Sequence, residues 1–233
     1  VEDWLAFARG PFFRFTFAVM VLGLLRQLVI TWWGILRAHS LTADRNVSWW
    51  RAFRRTLGWL VPLRHLKQRR LYSVTSVLFH VGVIVTPVLF LGHVQLVKAS
   101  TGLSWWTLPA SWADILSLVT LAAVFALLVG RLGSRPARAI SRPQDYALPF
   151  LLAVPFLSGY LAAHPHLNPL PYNPTLLVHM LSAGVCFLVA PFSKLSHMAL
   201  VPLTQLPSEL AWRFPPDYPE LVVTDIGREG QPI

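Results

Sequence analysis

Apolar residues run along this chain in blocks, without the alternation of a half-buried strand or the stripe of a soluble amphipathic helix. Five blocks have the length that crosses a bilayer as a helix, roughly 20 residues. They cover 12–36, 72–97, 112–129, 147–163 and 175–200. The fourth is short and carries Pro149 and Pro155, and the fifth reaches Leu200 only if its helix continues past Lys194 and His197. The pattern predicts an all-α polytopic membrane protein. A five-helix transmembrane bundle fills 1–202, and a Pro-rich, polar, irregular tail fills 203–233.

Polar residues between the blocks set an orientation. Between the first two spans lie Arg37, Arg45, Arg51, Arg54, Arg55, Arg64, Lys67, Arg69 and Arg70, against the single acid Asp44. Between the third and fourth lie Arg131, Arg135, Arg138 and Arg142, whereas the other two loops hold only Lys98 as a cation. Lys and Arg are retained on the cytoplasmic side. The N-terminus is therefore expected outside and the C-terminus inside. Trp105, Trp106 and Trp112 fit an aromatic belt at the outer interface. The first cytoplasmic loop is too long for a plain connector. Trp49, Trp50, Phe53, Leu57 and Leu60 recur there at roughly helical spacing among arginines. This predicts an amphipathic helix on the membrane surface, touching anionic lipid or a cytoplasmic redox subunit.

Composition agrees. The chain of 233 residues is 55% hydrophobic and 13% charged, where a soluble domain carries about 25% charge. The net charge of +10 sits between apolar spans, so it reports topology and lipid contact rather than nucleic acid. Cys186 is the only cysteine and lies within an apolar span. It reads as a buried structural thiol, and it leaves the chain without a disulfide or the ligands of an iron–sulfur cluster. No small-residue cleavage site follows the first apolar run, which is read as a span.

Histidine is costly in a bilayer and marks function there. His80 and His93 lie on the second span, His179 and His197 on the fifth. The two spans run in opposite directions. His93 therefore meets His179 at the outer depth, and His80 meets His197 at the inner depth. His179 and His197 are eighteen positions apart, which on a continuous helix is about five turns and about 27 Å, on one face. His80 and His93 differ by about 220° on an ideal helix, and a kink or wide turn at Pro87 is expected to realign them. Two such pairs suit the axial positions of two b-type haems, which need only two protein ligands each. Gly82, Gly92 and Gly184 admit either a flat macrocycle or a close helix neighbour. Arg26, toward the middle of the first span, is a buried cation that needs an anion, for which a haem propionate is the first choice. His39 and His65 fall in the basic loop and are read as surface or partner-facing.

At these residues the chain resembles a known family. LFHVGVIVTPVLFLGH, Leu78 to His93, and LLVHMLSAGVCFLVAPFSKLSHMALVP, Leu176 to Pro202, resemble the gamma subunit of respiratory nitrate reductase. They also resemble the related membrane cytochromes b of sulfite-reducing and heterodisulfide-reductase-like complexes. The longer His80 to His93 interval, its proline and the larger basic loop bring the chain nearer those sulfur-metabolism relatives. The resemblance implies five spans in a bacterial or archaeal cytoplasmic membrane, with two haem b groups held by His80, His93, His179 and His197. It implies quinol chemistry (menaquinone or ubiquinone) at the outer haem, where Lys98, His164 and His166 are the candidate residues. With no ligands for another centre, the chain is expected to pass electrons to a cytoplasmic iron–sulfur partner, with other redox subunits of a multisubunit quinol-linked oxidoreductase. Two readings of other kinds stay open. One is a haem-free transporter or scaffold whose histidines relay protons. The other is a cytochrome b that docks a hydrogenase or an external multihaem cytochrome.

Overall fold

The computed structural model describes residues 1–41, 50, 51, 53, 54, 70–201, 203, 224 and 227. The elements are α1 (Glu2–Phe7), a π-turn (Ala8–Phe12), α2 (Phe13–Leu41), α3 (Arg70–Leu89), α4 (Leu91–Thr101) and α5 (Ala110–Gly133). They continue with α6 (Arg135–Ala139), α7 (Gln144–Ala163), α8 (Tyr172–Val189) and two 3₁₀ turns, Ala190–Phe192 and Lys194–Ser196. Among the described residues there is no strand. Five helical stretches there are long and apolar enough to cross a membrane: Glu2–Ser40, Arg70–Leu89, Ala110–Gly133, Gln144–Ala163 and Tyr172–Phe192. The all-α polytopic expectation therefore holds. The first stretch is longer than its apolar block. Pro11 has no N–H for the helical ladder, and the chain passes it in the π-turn rather than stopping.

The chain forms two compact units. One comprises Val1–Val21 and the described part of Pro62–Leu195; the other takes the remainder. In the first unit α3 packs on α5, α5 on α7 and α7 on α8, and α1 with the π-turn packs on α8. Small side chains make these contacts. Ala113, Thr120, Ala123, Ser158, Ala162, Thr175 and Cys186 are buried, while Ile84, Phe125, Phe150 and Val178 stay exposed. That inversion of a soluble core is expected of a bundle whose outer surface meets lipid, where helices associate through small residues. Gly82 and Gly184 belong to this packing. A Cβ on Gly82 would overlap Thr120 Oγ1, and one on Gly184 would overlap Phe12 Cε1. Of the two roles left open for these glycines, close helix packing is the one they fill. Buried hydroxyls return to their own helix: Thr120 Oγ1 donates to Leu116 O at 2.6 Å and Ser158 Oγ to Val154 O at 2.6 Å.

The connections give the first unit two distinct ends. The α5–α6–α7 connection carries Arg131, Arg135, Arg138 and Arg142. The other end carries the loop from Gly102 to Pro109, with Trp105 and Trp106, and the loop from His164 to Pro171. Of the amphipathic helix expected in the first basic loop, Trp50, Arg51, Phe53 and Arg54 are helical and exposed, and the Trp50 and Phe53 rings stack at 5.7 Å. The rest of that segment lies outside the described residues, as does the tail from 203 apart from Leu203, Thr224 and Gly227.

Candidate functional site

The second span does not break at its proline. α3 continues through Pro87 and ends at Leu89, and Phe90 takes an extended conformation (φ −69°, ψ 129°) before α4 begins. An interrupted helix leaves carbonyls without intrahelical partners, and distant groups satisfy these. Trp105 Nε1 donates to Val88 O at 2.8 Å, and the Leu108 N–H donates to Leu89 O at 2.9 Å. Pro87 O accepts from the imidazole of His93, Nδ1 to O 2.9 Å. The loop between α4 and α5 thus closes over the break, and the break turns His93.

His179 is seated by a neighbouring helix. Its Nδ1 donates to Pro155 O of α7 at 2.8 Å. Its ring lies where a side chain on Gly159 would be: a Cβ there would come within 2.8 Å of both Cε1 and Nδ1. Pro155 and Gly159 are four residues apart, so both face α8 from one side of α7. Pro155 cannot donate to Leu151 O, and the buried Cys186 thiol approaches that carbonyl at 3.7 Å. This contact gives Cys186 the structural role expected of it.

The two imidazoles then face each other. The ring centres of His93 and His179 are 5.9 Å apart and their planes differ by 8°. A carbonyl oxygen only accepts hydrogen bonds, so each Nδ1 carries the proton and each Nε2 keeps its lone pair. Two imidazoles binding opposite sides of one metal at about 2.0–2.1 Å place their ring centres about 6 Å apart. The observed separation, between parallel rings, is close to that distance. Metal-bound histidines ordinarily donate their second ring N–H to a carbonyl or carboxylate, as both do here. Among the described residues no group of three or more His, Cys, Asp or Glu could hold an ion. A lone pair of imidazoles suits a metal whose other positions come from a macrocycle, and the donor set fits a haem.

The remaining candidates are placed as follows. His80 is exposed on α3 with Nδ1 donating to Ser76 O at 2.7 Å, the same tautomer again. His197 is exposed and belongs to the second unit. The continuous fifth helix to Leu200 is not found. α8 ends at Val189, Pro191 enters a 3₁₀ turn, and Ser193 is extended (φ −130°, ψ −177°). The helical run resumes only at His197. The five-turn alignment of His179 with His197 is therefore lost. A proline interrupts the ladder, and Lys194 fixes the turn that follows, its Nζ on both oxygens of Asp145 (2.6 and 2.7 Å) and its N–H on Gln144 Oε1 (3.1 Å). Arg26 is exposed on α2 in the second unit, so the buried cation expected there is not found. His39, expected in the basic loop, is half-buried within α2, because the first helix runs further than its apolar block. His65 lies outside the described residues. Lys98 and His166 are exposed, whereas His164 is half-buried.

Sequence reasoning missed the Pro155 carbonyl and Gly159. Pro155 was visible, but with Pro149 it counted only against the fourth span.

A protein of Nitratidesulfovibrio vulgaris strain Hildenborough, described by no more than the word "Protein", is 28% identical to this chain over 204 residues. The alignment covers 84% of this chain and 87% of the relative. No family model matches the chain, and no solved structure matches it.

Proposed function

We propose that this chain is the membrane-anchoring di-haem b subunit of a quinol-linked oxidoreductase. It carries electrons between the quinone pool and an iron–sulfur partner on the cytoplasmic side. The observation that carries this reading is the His93–His179 pair: ring centres 5.9 Å apart, with each Nδ1 committed to a proline carbonyl. A haem held by two imidazoles has no open coordination position and passes single electrons.

The surrounding residues hold that pair in register. Proline carbonyls from two helices fix both tautomers and both ring orientations, and such outer partners raise ligand basicity. The Trp105 and Leu108 tethers fix α4 against the end of α3. His80 and His197 are assigned to the second haem on the sequence and the family resemblance. Excess Lys and Arg mark the cytoplasmic side, so the arginine-rich end faces inward and the His93–His179 pair lies toward the outside. With Cys186 as its only cysteine, the chain has no set of thiolates to bind a cluster of its own. Electrons therefore leave to another subunit.

Purified from membranes, the protein should show a reduced b-type α band. A pyridine haemochrome assay should return two haems per chain, and a water-soluble hydroquinone such as duroquinol should reduce them. A colourless preparation from haem-replete cells ends the reading.

A further inference from the structure

α2 enters the second unit at Leu22 and carries a charge in the middle of its apolar run. Arg26 stands two residues past the centre of the block 12–36, about 3 Å along a helix from the bilayer midplane. The nearer boundary of a hydrocarbon core about 30 Å thick then lies about 12 Å away. An arginine side chain is too short to cross that distance and put its head in water. A cation at that depth is costly and pairs with an anion or a carbonyl. Arg26 is nevertheless exposed. The ion pairs among the described residues join His164 to Asp114 and Lys194 to Asp145, and Arg26 enters neither.

The residues around Arg26 make a face rather than a point. Leu22, Val29, Ile30 and Trp33 are spaced from it by three, four or seven positions, which puts them on one side of α2. All four are exposed. Leu28, Val29, Trp32 and Trp33 line an open apolar groove alongside. From Leu22 to Trp33 the face is about three turns long, with one guanidinium near its middle. Acyl tails cover the apolar positions and leave the charge unmet. A transmembrane helix with a carboxylate at the same depth meets both, because a guanidinium binds a carboxylate through two parallel N–H bonds.

The carboxylate comes from a different polypeptide. Glu2, Asp3, Asp114 and Asp145 fall in the first turns of α1, α5 and α7. Asp44 and the acids from Glu209 onward lie outside the five apolar blocks. A second copy in the same orientation therefore brings no acid to the depth of Arg26. A haem propionate would supply the charge but would leave the apolar stripe uncovered.

We infer that the Leu22–Trp33 face of α2 docks a transmembrane helix of a different membrane subunit, whose Asp or Glu pairs with Arg26 near mid-depth. No histidine takes part, so the contact stands whether or not the chain holds haem.

Photo-cross-linking in native membranes, followed by substitution, tests the contact. p-Benzoylphenylalanine placed at Leu22 or Val29 should join the chain to a membrane-spanning peptide with Asp or Glu near the middle of its apolar run. Arg26→Leu removes a charge from a span, so membrane insertion is not impaired. It should lower the yield of that subunit in the detergent-solubilised complex at least about 10-fold, because it strands the partner's buried acid. Replacing that acid by leucine as well should recover most of the loss, since two apolar residues leave no charge unpaired. Cross-links confined to lipid or to a second copy of this chain overturn the inference. So do a partner helix with no acid at that depth, a complex that survives Arg26→Leu, and a double replacement that recovers nothing. A haem potential that shifts in Arg26→Leu while the complex stays intact would assign Arg26 to a propionate instead.

Discussion

Replacing His179 by alanine should halve the haem content of the proposed di-haem protein. The variant should bind one b haem per chain where the parent binds two, and His93→Ala should do the same. The double variant should lose no more than either alone. The reason is geometric. His93 and His179 meet each other at 5.9 Å, so removing either leaves its partner as a single ligand. His80 lies on α3, beyond the break at Phe90 that turns His93, and His197 lies beyond the break at Ser193. Neither depends on the Pro87 and Pro155 carbonyls. Haem extraction and reduced-minus-oxidised spectra read the outcome. A double variant that loses both haems would mean the ligands were wrongly paired, and one that keeps both would mean that neither residue is a ligand.

The second large effect comes from a residue with no side chain. Gly159→Val should displace the His179 imidazole, because even a Cβ would lie 2.8 Å from Cε1 and Nδ1. The neighbouring atoms belong to a ring held by a bond to Pro155 O, so little can give way without losing that bond. Loss of an outer partner of this kind lowers metal affinity by about 10–100-fold. The same haem that His179→Ala abolishes should therefore be substoichiometric in Gly159→Val and should have an altered reduction potential. The other haem should titrate as in the parent. Equal perturbation of both haems would point to a general packing failure of α7 on α8.

How much of this was legible in the chain differs from element to element. The five crossings follow from apolar length alone, because a bilayer demands it whatever the neighbours are. Pairing of His93 with His179 followed from antiparallel spans. What turns the rings did not follow. The Pro87 carbonyl becomes an acceptor for His93 because the helix opens three residues later, at Phe90. That opening is satisfied by Trp105 and Leu108 from a loop more than fifteen residues away. Pro155 and Gly159 act on α8 from α7, and a periodicity argument confined to one helix cannot see across that contact. The His179–His197 interval shows the opposite error. Eighteen residues measure five turns only while the ladder is unbroken. Pro191 and the Lys194–Asp145 pair interrupt it. Arg26 misled for a related reason: a position in the middle of an apolar block is not burial within protein, and on α2 it is exposed.

Axial ligation of iron by two neutral imidazoles, proposed for the His93–His179 site, has a spectroscopic signature. Electron paramagnetic resonance of the air-oxidised, purified protein should show low-spin ferric signals of the bis-imidazole type, one set of which disappears or turns high-spin in His179→Ala. A spectrum without haem iron, or one wholly high-spin in the unmodified protein, would rule that ligation out.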